Sequence, residues 1–254
     1  MSTVVTAFYD LYQNKYGRNA YYQWIKNFIP HLENNVIIFT DEKGNKVLQE
    51  ICKERQTTTK IIVLPMNQFY TFKYLKHWQK DFERDHEKYY HNIALYMIWN
   101  EKSYFVKRAI EENPFNSEYF CWADIGIIRD SNNIQYIRKF PTIRSDVEND
   151  KIYLLNIIPR DISHLTPNVS EYFRFINYMG GGVIYGHKDI FLQWTKVFYE
   201  TLDEFISQDL FAGKDQSIMA YVSIKFPKMV KLIKPEPSPL KDDWFYLIYY
   251  FCVD

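Results

Sequence analysis

The feature that most restricts what this chain can fold into is the alternation of its first third. Val4 to Phe8 form a short run suited to a strand. Tyr21, Trp24, Ile25, Phe28 and Ile29 then recur at three- and four-residue spacing, as on an amphipathic helix ending near Pro30. Val36-Ile37-Ile38-Phe39 is a second strand, closed by Thr40-Asp41-Glu42-Lys43-Gly44. A helix is expected from about Lys46 to Arg55, and a third strand from Lys60 to Leu64, stopped by Pro65. Strand, helix, strand, helix, strand is the pattern of a parallel sheet in an α/β domain. Each strand is apolar throughout, as it must be when helices cover both faces.

The remainder extends this pattern. Phe69, Phe72, Leu75, Trp78 and Phe82 fall at helical spacing. A helix follows over about Asn92 to Trp99, and Ser103 is expected to cap a further helix, Tyr104 to Glu112. Tyr119-Phe120-Cys121-Trp122-Ala123 is a buried strand running into Asp124, and Ile152 to Ile158 is another. An irregular stretch passes through Pro159 and Pro167. Gly180-Gly181-Gly182 is expected as a backbone opening ahead of the strand Val183-Ile184-Tyr185. Ile190 to Ile206 and Lys214 to Ser223 read as helices, Met229 to Ile233 as a strand, and Trp244 to Val253 as a final strand or docked tail.

Lys plus Arg equals Asp plus Glu at 31 each, so there is no net field to gather nucleic acid or an anionic membrane. No window reaches the ~18 apolar residues of a membrane span. Three scattered cysteines, Cys52, Cys121 and Cys252, form no CxxC and suit neither a metal cluster nor a disulfide framework. The sequon at Asn168 carries little weight without a secretion signal, and the reading is of a soluble protein of the cytoplasm. The 22 Tyr, 19 Phe and 6 Trp serve either a ring-filled core or ring stacking on a ligand.

Four places offer chemistry. Asp124 is a single carboxylate at a strand end, where α/β sheets gather ligands; it either faces a metal, phosphate or ribose, or caps a turn or pairs with Arg129. Lys107-Arg108 could face phosphate, or be ordinary solvated charge. Gly180, Gly181 and Gly182 allow close backbone approach. Asp215-Gln216 either cap a helix or place a general base. No GxGxxG, P-loop or GxSxG is present, and the six histidines show no zinc spacing.

In this order, Val-Val-Thr-Ala-Phe-Tyr, a Lys-bearing helix, Trp-Ala-Asp-Ile-Gly-Ile-Ile-Arg-Asp, Gly-Gly-Gly-Val-Ile-Tyr-Gly and Lys-Asp-Gln-Ser resemble a GT-A glycosyltransferase. More narrowly the chain is similar to the HtrL/YibB-type bacterial and viral proteins of surface-polysaccharide and glycan loci. The resemblance implies one GT-A-like (Rossmann-like) α/β domain over 1–254 with a mostly parallel sheet flanked by helices. Residues 1–130 would be its nucleotide-sugar half and 131–254 its acceptor half. It implies transfer of a hexosyl or pentosyl group from a nucleotide-diphosphate sugar, UDP-linked, to a hydroxyl acceptor. Thr6, Ala7 and Phe8 would line the nucleotide pocket, Asp41 would meet the base or ribose, and Lys107 and Arg108 the phosphates. Asp124 would open the DxD motif that holds Mn²⁺ or Mg²⁺. Gly180 to Gly182 with Gln216 would meet the sugar or acceptor, and Asp215 would be the acceptor's base. The chain departs from the motif, since Gly126 stands where the second Asp belongs. A non-catalytic glycan- or nucleotide-sugar-binding protein is the alternative, and a nucleotidyltransferase a weaker one.

Overall fold

The structure, a computed structural model, describes residues 1–11, 16–158, 176–240 and 242–252. The sequon at Asn168 and the irregular stretch through Pro159 and Pro167 lie outside them. The strands are β1 (Ser2–Phe8), β2 (Asn35–Thr40), β3 (Thr59–Val63), β4 (Tyr119–Ala123), β5 (Ile152–Asn156), β6 (Met179–His187) and β7 (Val230–Ile233). They form one sheet in the order β3-β2-β1-β4-β6-β5-β7. Every neighbouring pair is parallel except those made by β6, which runs against β4 and β5.

Because side chains alternate along a strand, the sheet has two buried faces. Val5, Ile37, Phe39, Trp122 and Ile184 point to one and Val4, Val36, Ile38, Cys121 and Tyr185 to the other. The first face is covered by α3 (Leu75–Arg84), α4 (Ile93–Glu112), α5 (Lys188–Ser207) and α6 (Asp215–Lys225). The second is covered by α1 (Arg18–Phe28), α2 (Glu42–Ile51) and α7 (Tyr246–Tyr250). The expected α/β domain, mostly parallel and flanked by helices, is the one observed.

Four local expectations are corrected. The helix α2 starts at Glu42 rather than near Lys46, because the Asp41 carboxylate accepts from the Gly44 amide at 2.7 Å and caps it. The two helices expected around Ser103 are one, α4, capped by Asn92, whose side chain accepts from the Leu95 amide at 2.9 Å. The three glycines lie inside β6 rather than before it. The tail is no strand: a 3₁₀ turn over Asp243–Phe245 leads into α7, with Leu247, Ile248 and Phe251 buried.

Candidate active site

The middle of α4 explains how a site forms. Asn100, Glu101, Lys102 and Ser103 are all buried, and each hydrogen-bonds a different neighbouring segment. Asn100 donates to the carbonyls of Ala212 and Gly213 at 3.2 Å. Glu101 accepts from the amides of Tyr70 and Thr71, and the Ser103 hydroxyl accepts from Trp194 Nε1 at 3.0 Å. Lys102 Nζ lies 2.8 Å from the Gly181 carbonyl, 3.2 Å from Asp124 Oδ1 and 3.0 Å from Asp215 Oδ2. An ammonium has three protons, so each finds an acceptor. Burial works against its charge, but the two carboxylates outweigh that and hold its pKa above the usual lysine value.

This cluster stands at the carboxyl edge of β4. Because β6 is antiparallel, its first residues share that edge, and the Asp124 amide donates to the Gly182 carbonyl at 2.9 Å. Asp215 enters from the start of α6. A Cβ on Gly181 would lie 3.1 Å from Asp215 Oδ2 and 3.3 Å from Lys102 Nζ, so a larger residue would crowd the ion cluster. Gly180 instead packs against Leu155.

Two compartments meet at Lys102 and Asp124. The first, about 940 Å³ including its open mouth, is lined by Ala7, Phe8, Tyr21, Trp24, Trp99 and Phe245, among others. The second is lined by Gly181, Gly182, Lys214, Asp215, Gln216 and His91, among others. Arg129, Trp99 and Trp244 border both. Asp124 is the accessible carboxylate, with its side chain 37% exposed against 2% for Asp215. Its Oδ1 is held by Trp122 Nε1 at 2.8 Å and by Lys102.

Ala7, Phe8, Asp124 and Gly126 therefore lie on the first compartment, and Asp124, Gly181, Gly182, Asp215 and Gln216 on the second. Five expected residues stand elsewhere, one of them Gly180, which lines neither compartment. Thr6 is wholly buried within β1. Asp41 is a helix cap. Lys107 pairs with Glu111 one turn along α4, and Arg108 lies over the Tyr104 ring with its exposed guanidinium 3.4 Å from the Gln68 carbonyl. Side chains five and six positions beyond Lys102 point away from the edge on which Lys102 opens. Lys102 itself was hidden in a polar tetrad that reads as a break between helices. The signal that could have found it is that Asn-Glu-Lys-Ser contains no Gly or Pro.

The arrangement does not fit the divalent ion that the DxD resemblance implies at Asp124. A Cβ on Gly126 would lie 2.9 Å from the Trp24 ring, so that ring occupies the space a second carboxylate would need. Asp130 turns away to accept from the Asn132 amide, and Asp242 from that of Trp244. A fixed ammonium already bridges Asp124 and Asp215. A separate group, Asp85, Glu87 and His91, has ligand atoms within 4.8 Å of one another and could hold a metal by distance. Asp85 already accepts from His91 Nδ1 at 2.7 Å and the Tyr96 hydroxyl at 2.5 Å, and Glu87 pairs with Lys214.

Among the described residues no helix is long and apolar enough to cross a membrane. A search of curated proteins finds no sequence match. Among solved structures, the chain is similar to mouse xyloside xylosyltransferase 1 in its apo form, at 8% identity and TM-score 0.48, covering 92% of this chain and 85% of that one. It is also similar to an active-site mutant of LgtC, at 13% identity and TM-score 0.46, covering 96% and 83%. PaToxG glycosyltransferase is similar at 13% identity and TM-score 0.43, covering 89% and 68%. Over residues 1–253 the sequence matches the model of the family described as bacterial protein of unknown function, HtrL_YibB, and the chain belongs to that family.

Proposed function

We propose that this protein transfers a hexosyl or pentosyl group from a nucleotide-diphosphate sugar, UDP-linked, to a hydroxyl acceptor. The observation that carries this reading is the position of Asp124. Its Oδ1 is fixed by Lys102 and Trp122, while the residue keeps its side chain 37% exposed and lines both an aromatic compartment and a polar one. Apart from Trp244 and Phe245, every residue lining the aromatic compartment comes from residues 1–130, which supports that half as the donor side. Its rings suit stacking on a base. The second compartment, where Gly181, Gly182 and Gln216 from the later half meet residues of the first, takes the acceptor.

In the reaction the acceptor oxygen bonds to the anomeric carbon as that carbon's bond to the diphosphate breaks. The bonding pair leaves with the nucleoside diphosphate, and the acceptor's proton passes to Asp124 Oδ2. Asp215 is buried against Lys102, so its part is to hold that ammonium rather than to receive the proton. Mn²⁺ or Mg²⁺ has no place in these steps, because the residues at Asp124 do not fit one.

The test is nucleoside diphosphate release across a panel of UDP-, GDP-, ADP- and CDP-linked sugars with mixed glycan acceptors. Wild type should release product from at least one donor, and Asp124→Asn should slow it by ~10²–10⁴-fold while binding the donor within a few-fold. Donor binding without release in either protein would favour the non-catalytic alternative.

A further inference from the structure

Four lysine and arginine side chains border the two compartments: Arg18, Lys102, Arg129 and Lys214. Three of them already face carboxylates. Arg18 pairs with Asp10 at 2.8 Å, Lys102 with Asp124 and Asp215, and Lys214 with Glu87. Arg129 makes no ion pair among the described residues. Its guanidinium is held instead by aromatic faces, 4.8 Å from the ring of Tyr16, 5.0 Å from Trp24 and 4.9 Å from Phe245. Among the described residues its side chain makes one hydrogen bond, a 3.3 Å contact with the Tyr16 hydroxyl. Ring faces hold a guanidinium in place without neutralising it and leave its edge N–H groups directed outward.

Arg129 follows directly on the turn that carries Asp124 and Gly126. It is exposed and borders both compartments. The Trp24 ring that steadies it is the ring that excludes a side chain at position 126. The same indole thus removes a metal-ligating carboxylate and positions a fixed cation. Lys102 adds to this, since its ammonium sits between Asp124 and Asp215.

We propose that Arg129 is the anchor for the diphosphate of the donor, and that donor binding needs no divalent cation. The inference rests on the glycosyl-transfer reading for the identity of its ligand. A planar guanidinium matches two oxygens of a diphosphate at once, which an ammonium does not.

The experiment titrates UDP, GDP, ADP, CDP, uridine and inorganic pyrophosphate onto the whole protein by calorimetry, in EDTA and then in Mn²⁺. At least one nucleoside diphosphate should bind in EDTA, with affinity changed less than about two-fold by Mn²⁺. Arg129→Met should weaken that binding about ten-fold or more, roughly one strong contact's worth, and leave binding of the bare nucleoside unchanged. Arg129→Lys should restore it only in part. Thermal melting of both variants checks that they fold, as an exposed side chain leads one to expect. Binding that appears only with Mn²⁺, or survives Arg129→Met, overturns the inference and leaves the transferase reading standing. Binding of no probe under either condition overturns both.

Discussion

A lysine ammonium only 4% exposed is tolerable because three acceptors meet its three protons. Replacing Lys102 by Met would leave Asp124 and Asp215 adjacent with no cation between them. Breaking a buried pair from one side costs ~3–5 kcal/mol, and urea denaturation should show a loss of that order. Adding Asp215→Asn should recover a large part of the stability without restoring transfer. A loss below about 1 kcal/mol in the single variant would show that the ammonium does not hold the carboxylates together. At this scale the sequence was half legible. Asp124 stands out as a charge in an apolar run, and Asp215 and the glycines are marked by their own residue types. Lys102 is not, because a buried charge is recognised by its partners, and these lie on segments far apart in the chain. Lys107 and Arg108 look better to the eye, yet Lys107 pairs with Glu111 and Arg108 lies over the Tyr104 ring.

At the scale of elements, periodicity delivered the strands and most of the helices, and its errors share a cause. The tetrad Asn100 to Ser103 is buried yet polar, so it reads as a break where α4 runs straight through. A glycine run ordinarily weakens a strand, yet β6 keeps all three, and at Gly181 a side chain would crowd the ion cluster. Asp41 shows the converse, a carboxylate after a strand that was read toward a ligand and instead starts a helix. Asp41→Ala should cost about 1 kcal/mol, the usual worth of a lost N-cap, measured by urea denaturation. UDP affinity should stay the same within two-fold. Weaker nucleotide binding with unchanged stability would return Asp41 to the donor site.

For the whole molecule, the parallel sheet followed from the alternation of the first third, whereas the direction of β6 did not. A strand's apolar run carries no sign of which way it is laid down. That reversal decides that Gly181 and Gly182 reach the same edge as Asp124. Stability against pH also belongs to this scale. Burial pushes the Glu101 carboxyl up to about 7, against the two backbone amides that favour its charged form. The native chain then keeps a proton that the unfolded chain releases near 4.5. The stabilisation is complete below that pH, falls as pH rises towards 7, and is level above. Urea midpoints between pH 5 and 8 should decline in wild type and be flatter in Glu101→Gln, which has no proton to lose. An equal decline in both would reject Glu101 as the source.

The single ammonium that joins α4, the end of β4, the start of β6 and the start of α6 also ties activity to the timing of synthesis. Domains emerge from the ribosome amino end first. Lys102 and Asp124 are therefore exposed to folding while Gly181 and Asp215 are still unmade. A nascent chain halted short of residue 215 holds one carboxylate where the finished cleft has two. The cluster is completed only once residue 215 has been made, so a chain released before it carries most of the sheet and lacks Asp215.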